Sequence, residues 1–173
     1  MKRFPTLLLA VSFHAAAHAQ MSPDNPLVLA LRNGRASTAI PDSRDVKLVA
    51  QKIQQQTRSQ GEVTVAFVRI SRFTSQPRCG RVGYALYQAS SNTYWPQFGG
   101  QLNVCDDGTP PLRFCKGSIA LVPAESQCND GTFPVDTPEI KAAIAKAAAG
   151  GTQAGEQFKA QFNPQPKSEG VSK

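Results

Sequence analysis

Four cysteines near the middle of the chain constrain its fold more than any other feature. They are the only cysteines in the sequence: Cys79, Cys105, Cys115 and Cys128. An even number of cysteines in a chain bound for an oxidising compartment predicts two disulfides that brace the fold. A zinc site is the alternative, but zinc motifs usually pair their cysteines as C-x-x-C, and the sequence has no such pair. The sequence therefore favours a disulfide-braced domain.

The spacing of the first two cysteines favours one pairing. Cys79 and Cys105 lie the same number of positions on either side of Asn92, which belongs to a polar turn between two strand-like segments. A hairpin centred on this turn would place the two cysteines opposite each other, provided that no bulge shifts the register. Cys115 would then pair with Cys128. The two other connectivities stay open on this evidence.

The first residues of the chain have the pattern of a secretory signal peptide. Lys2 and Arg3 give a positive start, residues 6–13 form an apolar run, and small residues surround Ala19. The apolar run is well short of the roughly 20 residues that cross a bilayer, and no later segment approaches that length. We therefore expect a signal peptide over residues 1–19, cleavage after Ala19, and a periplasmic or secreted product without a transmembrane segment.

Both histidines of the chain, His14 and His18, lie inside this leader. Its removal would leave no imidazole, so nucleophilic Ser/His/Asp and Cys/His sites and mixed Cys/His zinc sites are excluded for the mature chain. A phosphate-binding G-x-x-x-x-G-K-[ST] motif is also missing from the sequence. We expect no catalytic, cofactor-binding or metal-binding residues. Without Lys2 and Arg3 of the leader, the formal net charge falls from +7 to +5, a moderate value that solubility alone explains and that would also favour an anionic partner.

Alternating β-branched and aromatic residues predict the strands of an antiparallel sheet. The pattern indicates strands over residues 62–73, 80–88 and 94–105, and a short apolar run indicates a fourth over 119–122. Pro96 and the Gly99-Gly100 pair interrupt the third of these, which is typical of a bulge or an edge position. Short links between the strands favour antiparallel pairing.

Two helices flank these strands in the sequence. Apolar residues at helical spacing, with capping residues before them and glycines after them, predict helices over residues 43–59 and 138–149. The predicted fold class is therefore α+β, with two helices packed on an antiparallel sheet of about three to five strands. We expect this single domain to span residues 43–151.

The two flanks of the domain differ from it in composition. Residues 20–42 contain several prolines around one short apolar patch, which predicts an N-terminal arm or a one-turn helix. Residues 152–173 are rich in Gly, Gln, Pro, Lys and Ser, which predicts a disordered tail. Phe158 and Phe162 are spaced one helical turn apart in this tail and would form a short docking helix when a partner is present.

Basic and aromatic residues on the predicted strands suggest a binding surface. The arginines are Arg69, Arg72, Arg78 and Arg81, and the aromatic residues of the adjoining strands are Tyr84, Tyr87, Tyr94 and Trp95. Together they would form a cationic surface with aromatic platforms for single-stranded nucleic acid or a glycan. In the alternative that the sequence favours, the aromatic residues divide between core and edge while the arginines pair with acids. Trp95 is the side chain that we most expect in a contact.

Acidic residues on predicted loops offer a catalytic alternative. They are Asp106, Asp107, Glu125, Asp130 and Asp136. A glycosidase-like hydrolase needs two carboxylates facing each other across a cleft, one of them with a raised pKa. Aspartates beside glycine are more often turn formers, and neither Asp-rich stretch has the alternating ligands of a calcium loop.

The function expected from these features is binding rather than catalysis. We expect a non-enzymatic binding or assembly protein of the bacterial cell envelope that meets an envelope protein partner, with an anionic polymer or nucleic acid as a further candidate. The leader and composition resemble those of the accessory envelope proteins of secretion and conjugation systems, which implies the same kind of role. The alternatives are a small secreted hydrolase that uses carboxylates, and an inhibitor-like or toxin-like domain that presents residues 106–114 between Cys105 and Cys115.

Overall fold

The computed structural model describes residues 21–149 together with Phe158 and Phe162. Within this part of the chain, the α+β class is confirmed: three helices accompany a four-stranded antiparallel sheet and a separate two-stranded sheet. The predicted signal peptide and most of the predicted tail lie outside the described residues. None of the described helices has the length and apolar composition that crossing a bilayer requires.

The helices are α1 (Pro26–Asn33), α2 (Arg44–Thr57) and α3 (Pro138–Ala149). The large sheet contains β1 (Arg35–Ala39), β2 (Val63–Arg72), β3 (Cys79–Gln88) and β4 (Thr93–Cys105), in that spatial order and with antiparallel neighbours. The small sheet pairs β5 (Arg113–Phe114) with β6 (Leu121–Val122).

The segment predicted to be an arm contributes both a helix and an edge strand. The side chain of Asn25 accepts a hydrogen bond from the backbone of Leu27, and Pro26 occupies the first turn, where its missing N–H costs nothing. Val28 and Leu31 of α1 are fully buried against the sheet. The prolines that suggested irregular structure therefore mark the start of a helix, and this helix covers part of the core.

The first face of the sheet is covered by α1 and α2. Helix α1 packs on Phe67, Val82 and Val104, and α2 places Ala50 and Ile53 against the next part of the same face. The sequence offers Asp42 or Ser43 as the cap of α2 and Gly61 as its end; in the structure Ser43 is the cap, and the helix ends earlier, at Arg58, in a left-handed conformation (φ 53°).

Two irregularities determine which side chains reach which face. The register between β2 and β3 shifts between Arg69 and Ser71, so Ile70 is an extra residue in β2. In β4 the pairing moves five positions, from Gly100 to Trp95, while β3 advances two, from Tyr84 to Leu86, which confirms the bulge predicted there. A side chain at Gly99 would meet the carbonyl oxygen of Tyr84 at 2.0 Å, so only glycine fits this close approach.

Both predicted disulfides are present. Cys79 and Cys105 are direct partners in the β3–β4 ladder and are bonded, and Cys115 is bonded to Cys128. The predicted connectivity is the observed one, although its two assumptions fail: the turn lies ahead of Asn92, at Ala89–Ser91, and the irregularity in β4 shifts the register. These two departures cancel, so that Cys79 still faces Cys105.

The predicted fourth strand belongs to the small sheet instead of the large one. Residues 121–122 pair with β5, and Val135 bridges Phe114 from the other side. The fourth strand of the large sheet is β1. The sequence did not predict this strand, because β1 is rich in small and polar residues. We call residues 113–135, which the Cys115–Cys128 bond closes, the disulfide lobe.

Helix α3 packs beside the first disulfide. Thr137 caps it through a 3.3 Å hydrogen bond from the backbone of Ile140, and the Ile140 side chain is buried with Phe73, Cys79 and Cys105. The helix therefore packs against the end of the β3–β4 ladder.

The second face of the sheet contacts the two described residues of the C-terminal segment. Phe158 and Phe162 are both helical; Phe158 is only 1 % exposed and packs with Ala66, Val68 and Ala85. These two phenylalanines were expected to dock on a partner. In the structure they dock on the sheet of their own chain.

Candidate protein-binding surface

Two of the four candidate arginines stabilise the end of α1. Arg69 and Arg72 both donate to the carbonyl oxygen of Leu31, at 2.9 and 3.0 Å. The extra residue Ile70 is what places these two side chains on the same face of the sheet. Positive charge at the carboxyl end of a helix complements its dipole, so these arginines have a structural role in the fold.

The other two arginines lie elsewhere. Arg78 donates to Asp106 at 2.9 Å and also pairs with Asp107, and these carboxylates raise its pKa. Arg81 projects from the second face and is 7 % exposed, with hydrogen bonds to Gln101 and Asn103. The structure thus brings Arg69 and Arg72 together but does not gather the four arginines into one surface.

The four candidate aromatic residues divide between the two faces of the sheet, with Tyr84 and Trp95 on the first and Tyr87 and Tyr94 on the second. Tyr94 stacks on Phe158 with ring centroids 5.8 Å apart on the second face. Trp95 is half-buried on the first face, beside Leu86 and α2. A continuous platform that combines both rings with the arginines is therefore not formed.

The acidic candidates are engaged in turns and ion pairs. Asp107 and Asp130 each accept hydrogen bonds from the threonine two residues later, and these bonds lower the pKa of both carboxyls. Asp136 lies 2.9 Å from Arg113. A general acid that works near neutrality needs a raised pKa, so the shifts at Asp107 and Asp130 run opposite to that requirement. Glu125 lies on an exposed loop of the disulfide lobe.

Metal binding has no support in the described part of the chain. No group of three or more His, Cys, Asp or Glu side chains there is arranged to hold a metal ion. All four cysteines are in disulfides and none is free to coordinate.

The loop proposed to act in an inhibitor-like or toxin-like domain is attached to the body of the molecule at several points. The backbone of Gly108 accepts a hydrogen bond from Met21, and Leu112 exchanges two hydrogen bonds with the buried side chain of Gln76. The loop is therefore held against the domain at both of these points.

The disulfide lobe exposes a set of large apolar side chains. Phe114 pairs with Leu121 on one side and with Val135 on the other, and directly paired residues of antiparallel strands project to the same face. Ile119 and Phe133 lie two residues before Leu121 and Val135 in the chain, just outside the paired residues, and both are exposed. We call these five residues the lobe face: Phe114, Ile119, Leu121, Phe133 and Val135.

The alternation within the lobe supports this arrangement. Ala120 and Val122 line a cavity of about 470 Å³ on the other side, next to the Cys115–Cys128 bond. Ile119 and Leu121 therefore point away from that disulfide. Ile119 is 96 % exposed and Phe133 is 70 % exposed.

The sequence contained a signal for the lobe face. Ile119 and Leu121, and likewise Phe133 and Val135, are apolar pairs at strand spacing between or near the last two cysteines. The prediction assigned residues 119–122 to the large sheet; in the structure Leu121 belongs to the small sheet, and Ile119 and Leu121 lie at the surface.

The chain matches no family model, no curated protein and no solved structure.

Proposed function

We propose that this chain is a non-enzymatic binding or assembly protein of the bacterial cell envelope that meets a protein partner through the lobe face. The observation that carries the proposal is the exposure of four large apolar residues around the half-buried Phe114 in a disulfide-closed lobe: Ile119, Leu121, Phe133 and Val135. Single exposed apolar side chains are ordinary, but a contiguous set of them is typical of an interaction site.

The chemistry of the lobe face favours a protein over a polyanion. Its members are aliphatic and phenylalanine side chains, which gain free energy by leaving water and offer no charge to a phosphate or a glycan acid. Aromatic residues at the centre of an interface often contribute most of its binding energy, so Phe133 is the expected anchor.

The disulfide suits this role because it fixes the surface before binding. The Cys115–Cys128 bond and the β5–β6 pairing hold the lobe in one shape. A preorganised surface loses less conformational entropy when it binds.

The rival functions find less support in the described residues. Arg69, Arg72 and Arg78 contact carbonyl oxygens or carboxylates of the chain itself, so they are less available to nucleic acid than their number suggests. The pKa values of Asp107 and Asp130 are lowered, whereas a hydrolase needs one carboxyl with a raised pKa.

The two disulfides are compatible with a secreted or periplasmic protein. A signal peptide over residues 1–19 and an accessory role in a secretion or conjugation system are parts of the same proposal. Both follow from the sequence pattern and the composition.

Affinity capture from envelope extract tests the proposal. The mature chain is compared with the variants Phe133→Ser and Ile119→Ser, each of which replaces a large apolar side chain of the lobe face with a small polar one. We expect each variant to lower the yield of one specific envelope protein by about tenfold or more, because an apolar anchor has been removed.

The matched control is Leu48→Ser on α2, where the leucine is 54 % exposed but lies far from the lobe in the chain. It removes a comparable exposed side chain and should leave the yield unchanged. Equal recovery with Phe133→Ser and with the unmodified chain would contradict the choice of surface.

A further inference from the structure

A cavity lies between the second face of the sheet and α3. Its volume is about 420 Å³, within the range of small-molecule sites. Ala85, Pro96, Ile144 and Phe158 contribute apolar side chains to its walls, and polar and apolar surface line it in about equal parts. The polar side chains that reach it include Arg81 and Gln101.

Arg81 is an unusual group to find at such a cavity. It is 7 % exposed, and in the described part of the chain no carboxylate forms an ion pair with it. Burial lowers its pKa, which is the direction expected when a cation loses water without gaining an anion. A buried cation is normally paired, so the missing counter-charge points to a ligand.

The two neighbours of Arg81 orient it without neutralising it. Its Nε donates to Oε1 of Gln101 at 2.6 Å, and its Nη1 donates to Oδ1 of Asn103 at 2.8 Å. Both partners are neutral amides. Nη2 has no hydrogen-bond acceptor among the described residues, and the edge formed by Nη1 and Nη2 matches the two oxygens of a carboxylate.

We propose that this cavity binds an amphipathic monocarboxylate, with the carboxylate on Arg81 and the apolar tail along α3. A planar anion of this kind accepts two parallel N–H bonds from a guanidinium. The side chains of Ile144, Ala147 and Ala148 make the α3 side of the cavity apolar, and this side favours an alkyl tail over a sugar or a nucleotide. The fitting ligand class is a fatty acid of medium chain length, and this site is independent of the lobe face.

Calorimetric titration of the mature chain with decanoate, below the concentration at which decanoate forms micelles, tests the proposal. We expect saturable binding of one decanoate per chain. Decanol has the same tail without the charge and should bind at least about tenfold more weakly, because it lacks the charge-assisted pair of hydrogen bonds. Absence of decanoate binding, or equal binding of decanoate and decanol, would overturn the assignment.

Two variants locate the site. Arg81→Gln should weaken decanoate binding by about tenfold or more while changing decanol binding little. Ile144→Trp, at a partly exposed position of α3, should fill the cavity and weaken both ligands, and it keeps the proposal testable if Arg81→Gln fails to fold. Decanoate binding that is unchanged in the folded Ile144→Trp chain would contradict the proposal.

Discussion

Glu139 shows how single polar residues of this chain serve its own architecture. The carboxylate lies in the first turn of α3 and accepts hydrogen bonds from the backbone N–H groups of Thr74 and Ser75 and from the Ser75 hydroxyl. It thereby ties the loop between β2 and β3 to α3. Partial burial raises the pKa of Glu139, but the hydrogen bonds from Ser75 and Thr74 outweigh this effect, and the net pKa is lowered from 4.5.

This shift predicts a pH-dependent contribution to stability. A carboxyl with a lowered folded pKa stabilises the protein above its unfolded pKa, and the contribution is lost as the pH falls through the folded value. We expect Glu139→Gln to lower the free energy of unfolding by about 1 kcal/mol at neutral pH. The difference should shrink towards zero as the pH drops below 4.5, the ordinary value for this carboxyl.

Urea unfolding of both chains at a series of pH values measures this difference. Glu62→Gln is the control, since Glu62 is exposed and makes no hydrogen bond or ion pair within the described residues. A gap between Glu139→Gln and the unmodified chain that persists at the lowest pH would argue against the carboxylate as its cause.

Among the elements, α1 differs most from its sequence-based expectation. Four of its eight residues are buried, and the helix packs on three strands of the large sheet. The side chains of Arg69 and Arg72 donate hydrogen bonds to carbonyl oxygen at the C-terminal end of α1. The backbone N–H of Arg69 also donates a 2.8 Å hydrogen bond to the carbonyl oxygen of Gly34, directly after the helix. Residues 26–39 are thus an integral part of the fold and not an appended arm.

Substitution of Leu31 tests this conclusion. Leu31→Ala removes a fully buried side chain and should lower the free energy of unfolding by about 2–5 kcal/mol, through lost burial and the cavity left behind. Leu48→Ala, at the exposed leucine of α2, should change it by less than about 0.5 kcal/mol. Equal, small effects in chemical denaturation would mean that α1 is peripheral to the core.

Strong local patterns were predictable from the sequence, and weak ones were not. The alternation in β2–β4 and the caps of α2 and α3 place these elements within a few residues of their observed ends. By contrast, β1 reads Arg-Ala-Ser-Thr-Ala, and its strand conformation depends on pairing with β2, which no local pattern records. The two-residue strand β6 is too short for periodicity to distinguish a small sheet from a large one.

The arrangement of the four candidate arginines likewise could not be predicted from local sequence patterns. The sequence presents Arg69, Arg72, Arg78 and Arg81 as neighbours, but the Ile70 bulge and the alternation of strands decide where each side chain points. Two of them reach the end of α1, one reaches Asp106, and one enters the second face. Side-chain direction in a bulged sheet requires the register, which only the folded chain supplies.

Three regions of the molecule have different roles. The first face of the sheet is covered by α1 and α2 and supplies most of the core. The second face carries Arg81, the cavity beside α3, and the two phenylalanines of the C-terminal segment. The disulfide lobe carries the lobe face, whose exposed apolar side chains are not covered by any described part of the chain.

The central claim is that the lobe face contacts a protein in the cell envelope, and site-specific photo-crosslinking in intact cells tests it most directly. A photoreactive residue is placed at Ile119, at Phe133 or, as the control, at Leu48, all three of which are exposed. The account predicts one discrete crosslinked protein of the same mass from positions 119 and 133, and none from position 48. Crosslinks from position 48 alone, or none from either lobe position, would contradict it.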